Sequence, residues 1–121
     1  MINKKYYEGF EGEEEIIVDL ILQHEKVCSL GIWGCYFHSI IYQIPAKQNG
    51  WDGFAYYFHL VSGWYDEDNW EVPDLPLFYQ QLLDIDEKRL EYPEEKEILH
   101  ILREMFLKAI DKQGKITITQ Y

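Results

Sequence analysis

The sequence predicts a single α+β domain spanning residues 1–121, with a small antiparallel β-sheet packed by an N-terminal helix and two C-terminal helices. Three observations predict this class. The chain has 121 residues, which is the usual size of one domain. Hydrophobic residues make up 47% of it, enough to build a core and too many for a disordered chain. At Pro73 the spacing of apolar residues changes from strand-like alternation to the three-to-four-residue spacing of helices.

The first element predicted is the N-terminal helix. Its apolar stripe consists of Ile16, Ile17, Leu20, Ile21 and His24. The carboxylates at residues 13–15 fall in its first turn, where they would offset the positive end of the helix dipole. Gly31 ends this section.

Three strands are predicted to follow as an antiparallel meander. Residues 32–44 are rich in β-branched and aromatic side chains and apolar on both faces, which predicts a central strand that ends at Pro45. The Asn-Gly and Asp-Gly turn dipeptides within residues 47–53 lead to a second strand at residues 54–64. Residues 66–69 form a tight connection to a short third strand at residues 70–72.

The second half of the chain is predicted to contain two helices and a terminal strand. The first helix begins after Pro73, runs to about Glu91, and has a stripe formed by Leu75, Phe78, Leu82 and Ile85. Pro93 opens the next helix, because proline fits the first helical turn. The apolar face of that helix comprises Ile98, Leu102, Met105, Phe106 and Ala109. Gly114 ends it, and residues 116–119 alternate as a strand.

The charge balance restricts the classes of partner. Twenty-two acidic residues against eleven basic ones give a formal charge of −11. Nucleic acid and anionic membranes require a basic footprint, so we expect neither as a partner. A strongly basic protein would be attracted and would associate faster. The alternative is that the acidity only maintains solubility.

The cysteines and the N-terminus predict a cytosolic protein. Cys28 and Cys35 match neither a redox pair nor a zinc knuckle and are predicted to be buried thiols in a reducing compartment. The lysines near the N-terminus precede no apolar stretch, so we expect no signal peptide and no membrane span.

Three acidic clusters stand out, at residues 11–15, 66–74 and 84–97. Between Lys47 and Lys88 nine carboxylates occur without a basic residue. Tryptophan and tyrosine flank residues 66–68, and aromatic anchors rimmed by charge are typical of interface hot spots. The predicted partner-binding surface comprises Trp64, Tyr65, Asp66, Glu67, Asp68, Trp70, Glu71 and Asp74. The alternative is an acidic hairpin tip beside core tryptophans.

Metal binding and catalysis find weak support in the sequence. Residues 66–69 resemble the start of a calcium loop, but the twelfth position, which requires glutamate, is Leu77. His38 and His59 could face each other and bind zinc with Cys35, although no fourth ligand accompanies them. His24 and His100 are interpreted as structural. We therefore expect no enzyme activity, no metal and no cofactor.

The order of elements from Cys35 to Met105 resembles that of a known protein family. It includes the aromatic strand at residues 54–61, the helix at residues 77–83 and the Glu-Tyr-Pro-Glu-Glu helix start at residues 91–95. This order is similar to that of the immunity proteins of bacterial contact-dependent growth inhibition systems, particularly the family that neutralises ribonuclease toxins. The resemblance implies a small cytosolic inhibitor that binds the basic toxin domain of its own strain.

On this hypothesis the acidic residues of the predicted surface provide electrostatic complementarity and its aromatic residues provide buried anchors. Two other classes stay open. One is a small metal protein or enzyme that uses Cys35, His38 and His59. The other is an acidic adaptor or nucleic-acid mimic that binds a host protein.

Overall fold

The computed structural model describes residues 2–45, 53 and 69–121. These residues form one α+β domain, in which a five-stranded sheet is combined with three α-helices and a short 3₁₀ helix at Glu87–Arg89. The strands are β1 (Ile2–Tyr6), β2 (Glu15–Leu22), β3 (Glu25–Trp33), β4 (Trp70–Glu71) and β5 (Lys115–Gln120). The α-helices are α1 (Gly34–Tyr42), α2 (Leu75–Asp84) and α3 (Pro93–Asp111). The predicted α+β class is therefore confirmed.

The sheet is mixed and has the strand order β1-β3-β2-β5-β4. Strand β1 runs parallel to β3, and the other neighbouring pairs are antiparallel. The predicted meander of sequential strands is wrong for the described residues, because the C-terminal strand β5 inserts between β2 and β4. This insertion brings the two ends of the chain into the same sheet.

The predicted N-terminal helix at residues 16–24 is a strand followed by a hairpin turn. In β2 the side chains of Ile16, Val18 and Leu20 enter the core, while Asp19 on the opposite face accepts a hydrogen bond from Ser29 of β3. A short apolar run is ambiguous between helix and strand, and pairing with β3 on one side and β5 on the other favours the strand. The turn contains Gln23 and His24, both with positive φ.

The predicted strand at residues 32–44 is wrong beyond its first two residues. Trp33 ends β3, and helix α1 begins at Gly34. The buried side chains then recur with a period of three to four residues, at Phe37 and the pair Ile40 and Ile41 in α1 and at Ile44 just after it. This is the spacing of one helical face, so packing of that face against the sheet overrides the β propensity of the individual residues.

The predictions for the second half are more successful. Strand β4, helix α3 and strand β5 match the predicted positions, and the predicted apolar face of α3 is buried. Helix α2 ends at Asp84 and not at about Glu91. Its end is fixed by Arg103 of α3, which donates hydrogen bonds of 3.0 Å to the carbonyl of Leu82 and 3.3 Å to that of Ile85. The predicted strand at residues 54–64 lies outside the described residues.

The core lies between the apolar face of the sheet and the helices. Its largest fully buried side chains include Phe37 of α1, Phe78 of α2 and Phe106 of α3, so each helix contributes one buried phenylalanine. Truncation of such a side chain costs about 3–5 kcal/mol. None of the helices in the described part of the chain is long and apolar enough to cross a bilayer.

Candidate partner-binding surface

The structure describes three residues of the predicted partner-binding surface, namely Trp70, Glu71 and Asp74. Trp70 is only 8% exposed, and its ring centroid lies 6.1 Å from that of Phe78. Its indole is therefore part of the core and not an exposed anchor. The other predicted residues, Trp64, Tyr65, Asp66, Glu67 and Asp68, lie outside the described residues.

The two described carboxylates of that surface are exposed, and each contacts another group of the same chain. Glu71 lies on the edge strand β4, with its Oε1 3.7 Å from Nζ of Lys115. Asp74 precedes α2 and accepts a hydrogen bond of 3.2 Å from the backbone N–H of Leu77, which makes it the N-cap of that helix. Glu71 can face a partner, whereas Asp74 already stabilises its own helix.

The residues of the alternative zinc site are not assembled in the described structure. Cys35 is exposed on α1, and Nδ1 of His38 lies 3.5 Å from Oε1 of Glu14. Burial lowers the pKa of His38, although the nearby Glu14 carboxylate opposes this shift. His59 lies outside the described residues. Within residues 2–45, 53 and 69–121, no group of three or more His, Cys, Asp or Glu side chains is placed to hold a metal ion.

Four aromatic side chains meet at another part of the surface. The rings of Phe10 and Trp33 stack with centroids 3.9 Å apart and planes 4° from parallel. Tyr36 meets both rings edge-on, at centroid distances of 5.8 Å and 5.0 Å. Tyr92 follows at 6.2 Å from Tyr36 and is 49% exposed. The first three rings are partly exposed, so the cluster is open to solvent.

The cluster is assembled from four separate parts of the chain. Trp33 ends β3, Tyr36 lies in the first turn of α1, and Tyr92 immediately precedes α3. Phe10 lies in the loop between β1 and β2, which folds back through hydrogen bonds from Phe10 N–H to the Tyr7 carbonyl and from Glu13 N–H to the Phe10 carbonyl, both 3.0 Å.

The turns of this loop depend on glycine. Gly9 and Gly12 flank Phe10 and have φ of 91° and 95°, in the left-handed region that glycine adopts without strain. Their conformation lets the loop reverse direction twice within a few residues. The loop thereby presents the Phe10 ring to Trp33.

Carboxylates surround the aromatic cluster. Oε1 of Glu13 accepts a 3.2 Å hydrogen bond from Nε1 of Trp33, and Glu8 and Glu94 line a cleft beside Tyr36. In the described part of the chain neither Glu8 nor Glu94 forms an ion pair with a basic side chain. We define the aromatic–acidic patch by the seven residues Glu8, Phe10, Glu13, Trp33, Tyr36, Tyr92 and Glu94.

The electrostatics of the patch show that its rings and carboxylates are close enough to interact. Burial raises the pKa of Tyr36, and the carboxylates of Glu94 and Glu95 raise it further. At the edge of the patch the Tyr6 hydroxyl donates a 2.8 Å hydrogen bond to Glu97, and Lys5 Nζ lies 3.2 Å from the same Oε1 atom. A hydrogen bond from Tyr6 and the ammonium of Lys5 lower the pKa of Glu97. Carboxylates of α3 are thus close enough to two tyrosines, Tyr6 and Tyr36, to raise the pKa of both.

Sequence analysis identified the acidic clusters of this region but missed the patch. The patch joins Glu13 of the cluster at residues 11–15 to Glu94 of the cluster at residues 84–97. The strand predicted at residues 32–44 would place Trp33 and Tyr36 on opposite faces, because side chains alternate along a strand, whereas the β3–α1 junction brings the two rings together. The one local signal was the Tyr92-Pro93 helix start, which places an aromatic residue beside acidic ones.

Comparison with models of protein families, with curated proteins and with solved structures found no match to this chain.

Proposed function

We propose that this protein binds a basic protein partner and inhibits it, with the aromatic–acidic patch as a principal contact surface. The observation that carries the proposal is the convergence of two acidic clusters, distant in sequence, on one partly exposed aromatic cluster. Exposed Tyr and Trp surrounded by charge is the composition of interface hot spots. The chain's net charge of −11 favours a partner of opposite sign.

The partner we propose is the basic nuclease domain of a toxin, and the activity is that of an immunity protein. A ribonuclease needs a basic cleft to hold phosphates, and clustered carboxylates can occupy such a cleft in place of RNA. The sequence resemblance to immunity proteins of contact-dependent growth inhibition systems supports this choice of partner. The carboxylates at residues 66–68 and the exposed Glu71 stay part of the proposal as a second acidic contact.

The patch suits an inhibitor because its two components act on different rate constants. Exposed carboxylates steer a basic partner and raise the association rate, an effect that salt screens within a Debye length of about 10 Å at 0.1 M. Aromatic rings buried on binding slow dissociation. Both are required of an inhibitor that must hold a toxin inside the cell that makes it.

The test is capture followed by an activity assay. The tagged protein is incubated with lysate of its native host under conditions in which the toxin is expressed, and bound protein is identified by mass spectrometry after washing at moderate salt. The proposal predicts one basic nuclease domain in equal amount, whose RNA cleavage stops when one equivalent of this protein is added. Capture of a host nucleic-acid-binding protein without nuclease activity would support the adaptor alternative and contradict the immunity function.

A further inference from the structure

Beside Tyr36 the aromatic–acidic patch contains a cleft of about 280 Å³. It is lined by Lys5, Tyr6, Glu8, Phe10, Tyr36 and Glu94. The volume equals that of roughly nine water molecules at about 30 Å³ each. It lies just below the ~300–1,000 Å³ of pockets that hold drug-sized ligands, so the cleft has room for one long side chain.

The lining of the cleft favours a cation. Glu8 and Glu94 are contributed by the β1–β2 loop and by the first turn of α3, and the rings of Phe10 and Tyr36, with centroids 5.8 Å apart, line the same cleft. Among the described residues that line the cleft Lys5 is the one basic residue, and its Nζ lies 3.2 Å from Oε1 of Glu97, which is not part of the lining. In the described part of the chain Lys5 therefore forms its ion pair with Glu97 and not with Glu8 or Glu94.

The chain itself places a cation against an aromatic ring at this position. Nζ of Lys5 lies 5.5 Å from the centroid of the Tyr6 ring, within the distance of about 6 Å at which a cation is attracted to an aromatic face. The same cleft offers Phe10 and Tyr36 to a second cation. An incoming group would thus find aromatic surface and carboxylates together.

We propose that this cleft receives the guanidinium group of an arginine side chain from the partner, between the carboxylates of Glu8 and Glu94 and against the rings of Phe10 and Tyr36. Identification of the donor as the partner rests on the proposed function. Arginine fits better than lysine because its planar fork pairs with carboxylates, stacks on aromatic rings and is less strongly hydrated than an ammonium. The cleft would then select partners that present arginine at this point.

A peptide titration tests the chemistry of the cleft directly. The full chain is titrated with acetyl-Gly-Arg-Gly-amide, and backbone amide resonances are followed by NMR. We expect saturable shifts at residues lining the cleft, and a dissociation constant for the corresponding lysine peptide that is about twofold or more larger. Equal binding of the two peptides, or shifts that spread over the surface without the cleft, would overturn the inference.

Matched double variants separate the cleft from net charge. Glu8→Gln with Glu94→Gln should raise the dissociation constant of the arginine peptide about fivefold, since two exposed ion pairs are lost and each contributes modestly to binding. Glu25→Gln with Glu104→Gln removes the same charge from exposed positions outside the cleft and should change the constant less than twofold. Equal effects of the two double variants would contradict a built site.

The two proposals can fail separately. If a basic nuclease domain binds the wild-type chain and the Glu8/Glu94 variant with the same affinity, the arginine inference is wrong and the proposed function stands. If the arginine peptide binds in the cleft and no basic nuclease is captured, the proposed function is wrong and the chemistry of the cleft stands.

Discussion

The ring of Phe10 lies flat on the indole of Trp33, with centroids 3.9 Å apart and the planes 4° from parallel. Phe10 lies in the β1–β2 loop and Trp33 is the last residue of β3, so the stack packs the loop against the sheet. The Trp33 indole N–H adds a hydrogen bond of 3.2 Å to Glu13 in the same loop. These two contacts hold the loop that carries Glu8 and Glu13 against the end of β3.

A double-mutant cycle measures what this stack contributes. Phe10→Ala, Trp33→Ala and the double variant are compared by urea denaturation, and we expect a coupling free energy of about 0.5–1.5 kcal/mol, the usual range for an aromatic pair. A cycle between Phe10 and Phe106 is the control and should show additive effects. Phe106 lies on α3, and its ring is buried in the core. A coupling near zero between Phe10 and Trp33 would mean that the loop is held by its backbone alone.

The raised pKa of Tyr6 predicts a loss of folding stability at alkaline pH. Burial, the hydrogen bond to Glu97 and the nearby carboxylates raise the pKa of Tyr6 to about 12, above its ordinary value of 10.0. The folded state therefore holds the phenolic proton more tightly than the unfolded state. The resulting stability is present in full below pH 10 and is lost as the pH rises toward about 12.

The Tyr6→Phe variant tests this assignment. Its free energy of unfolding, measured in urea at several pH values from 9 upward, should fall less steeply than that of the wild type above pH 10. Tyr121→Phe removes an exposed phenol and should keep the wild-type slope. Identical slopes for Tyr6→Phe and the wild type would show that Tyr6 does not titrate in this window.

The lowered pKa of His38 predicts a second effect of pH, namely a loss of folding stability at acidic pH. Burial lowers its pKa below the ordinary value of 6.5, so the folded state favours the neutral imidazole despite the nearby Glu14 carboxylate. The stability from this group is present above pH 6.5 and decreases as the pH falls through the lowered pKa. His38→Gln should flatten this decrease in urea denaturation, whereas His24→Asn, in the exposed hairpin turn, should leave it unchanged.

Substitution of Arg103 is expected to destabilise the C-terminal end of α2. Its guanidinium donates to the carbonyls of Leu82 and Ile85, which have no further helical turn to bond to them. Arg103→Met should lower the free energy of unfolding by about 1–3 kcal/mol, because partly buried acceptors lose their donors. Lys108→Met, at an exposed position of the same helix, should change it by less than about 0.5 kcal/mol.

Local patterns were sufficient for the elements whose partners are near in sequence. Helix α3 was predicted from its own stripe, because Ile98, Leu102 and Phe106 recur at helical spacing and Pro93 marks the first turn. Strand β2 was not, because Ile16, Ile17, Leu20 and Ile21 also fit a helical stripe, although the buried Ile16, Val18 and Leu20 alternate as in a strand. Its pairing with β5 at the other end of the chain decides the outcome, and such pairing leaves no local signal.

Of the predicted partner-binding surface, residues 64–68 lie outside the described residues, and the structure describes Trp70, Glu71 and Asp74. The sequence indicated that aromatic anchors rimmed by carboxylates would form a docking surface, and Trp70 was assigned to it by proximity to acidic residues. Burial of Trp70 against Phe78 contradicts that assignment. Phe10 and Trp33 join Tyr92 in one cluster through Tyr36, because the β1–β2 loop, the β3–α1 junction and the start of α3 converge in the tertiary fold.

We expect the location of the carboxylates, and not only the net charge of −11, to determine partner binding. The most direct measurement is the association rate of the captured nuclease domain with three variants that each remove three negative charges, compared at 50 and 200 mM salt. One carries Glu8→Gln, Glu13→Gln and Glu94→Gln in the patch. The second carries Asp66→Asn, Glu67→Gln and Asp68→Asn, and the third carries Glu25→Gln, Glu104→Gln and Asp111→Asn as the control.

We expect the patch variant to associate about tenfold more slowly than the control variant at 50 mM salt, with a smaller difference at 200 mM because the charges are screened. Slow association of the variant at residues 66–68 as well would identify the second acidic contact. Equal rates for the patch variant and the control variant would contradict the claim, because they would mean that net charge alone attracts the partner.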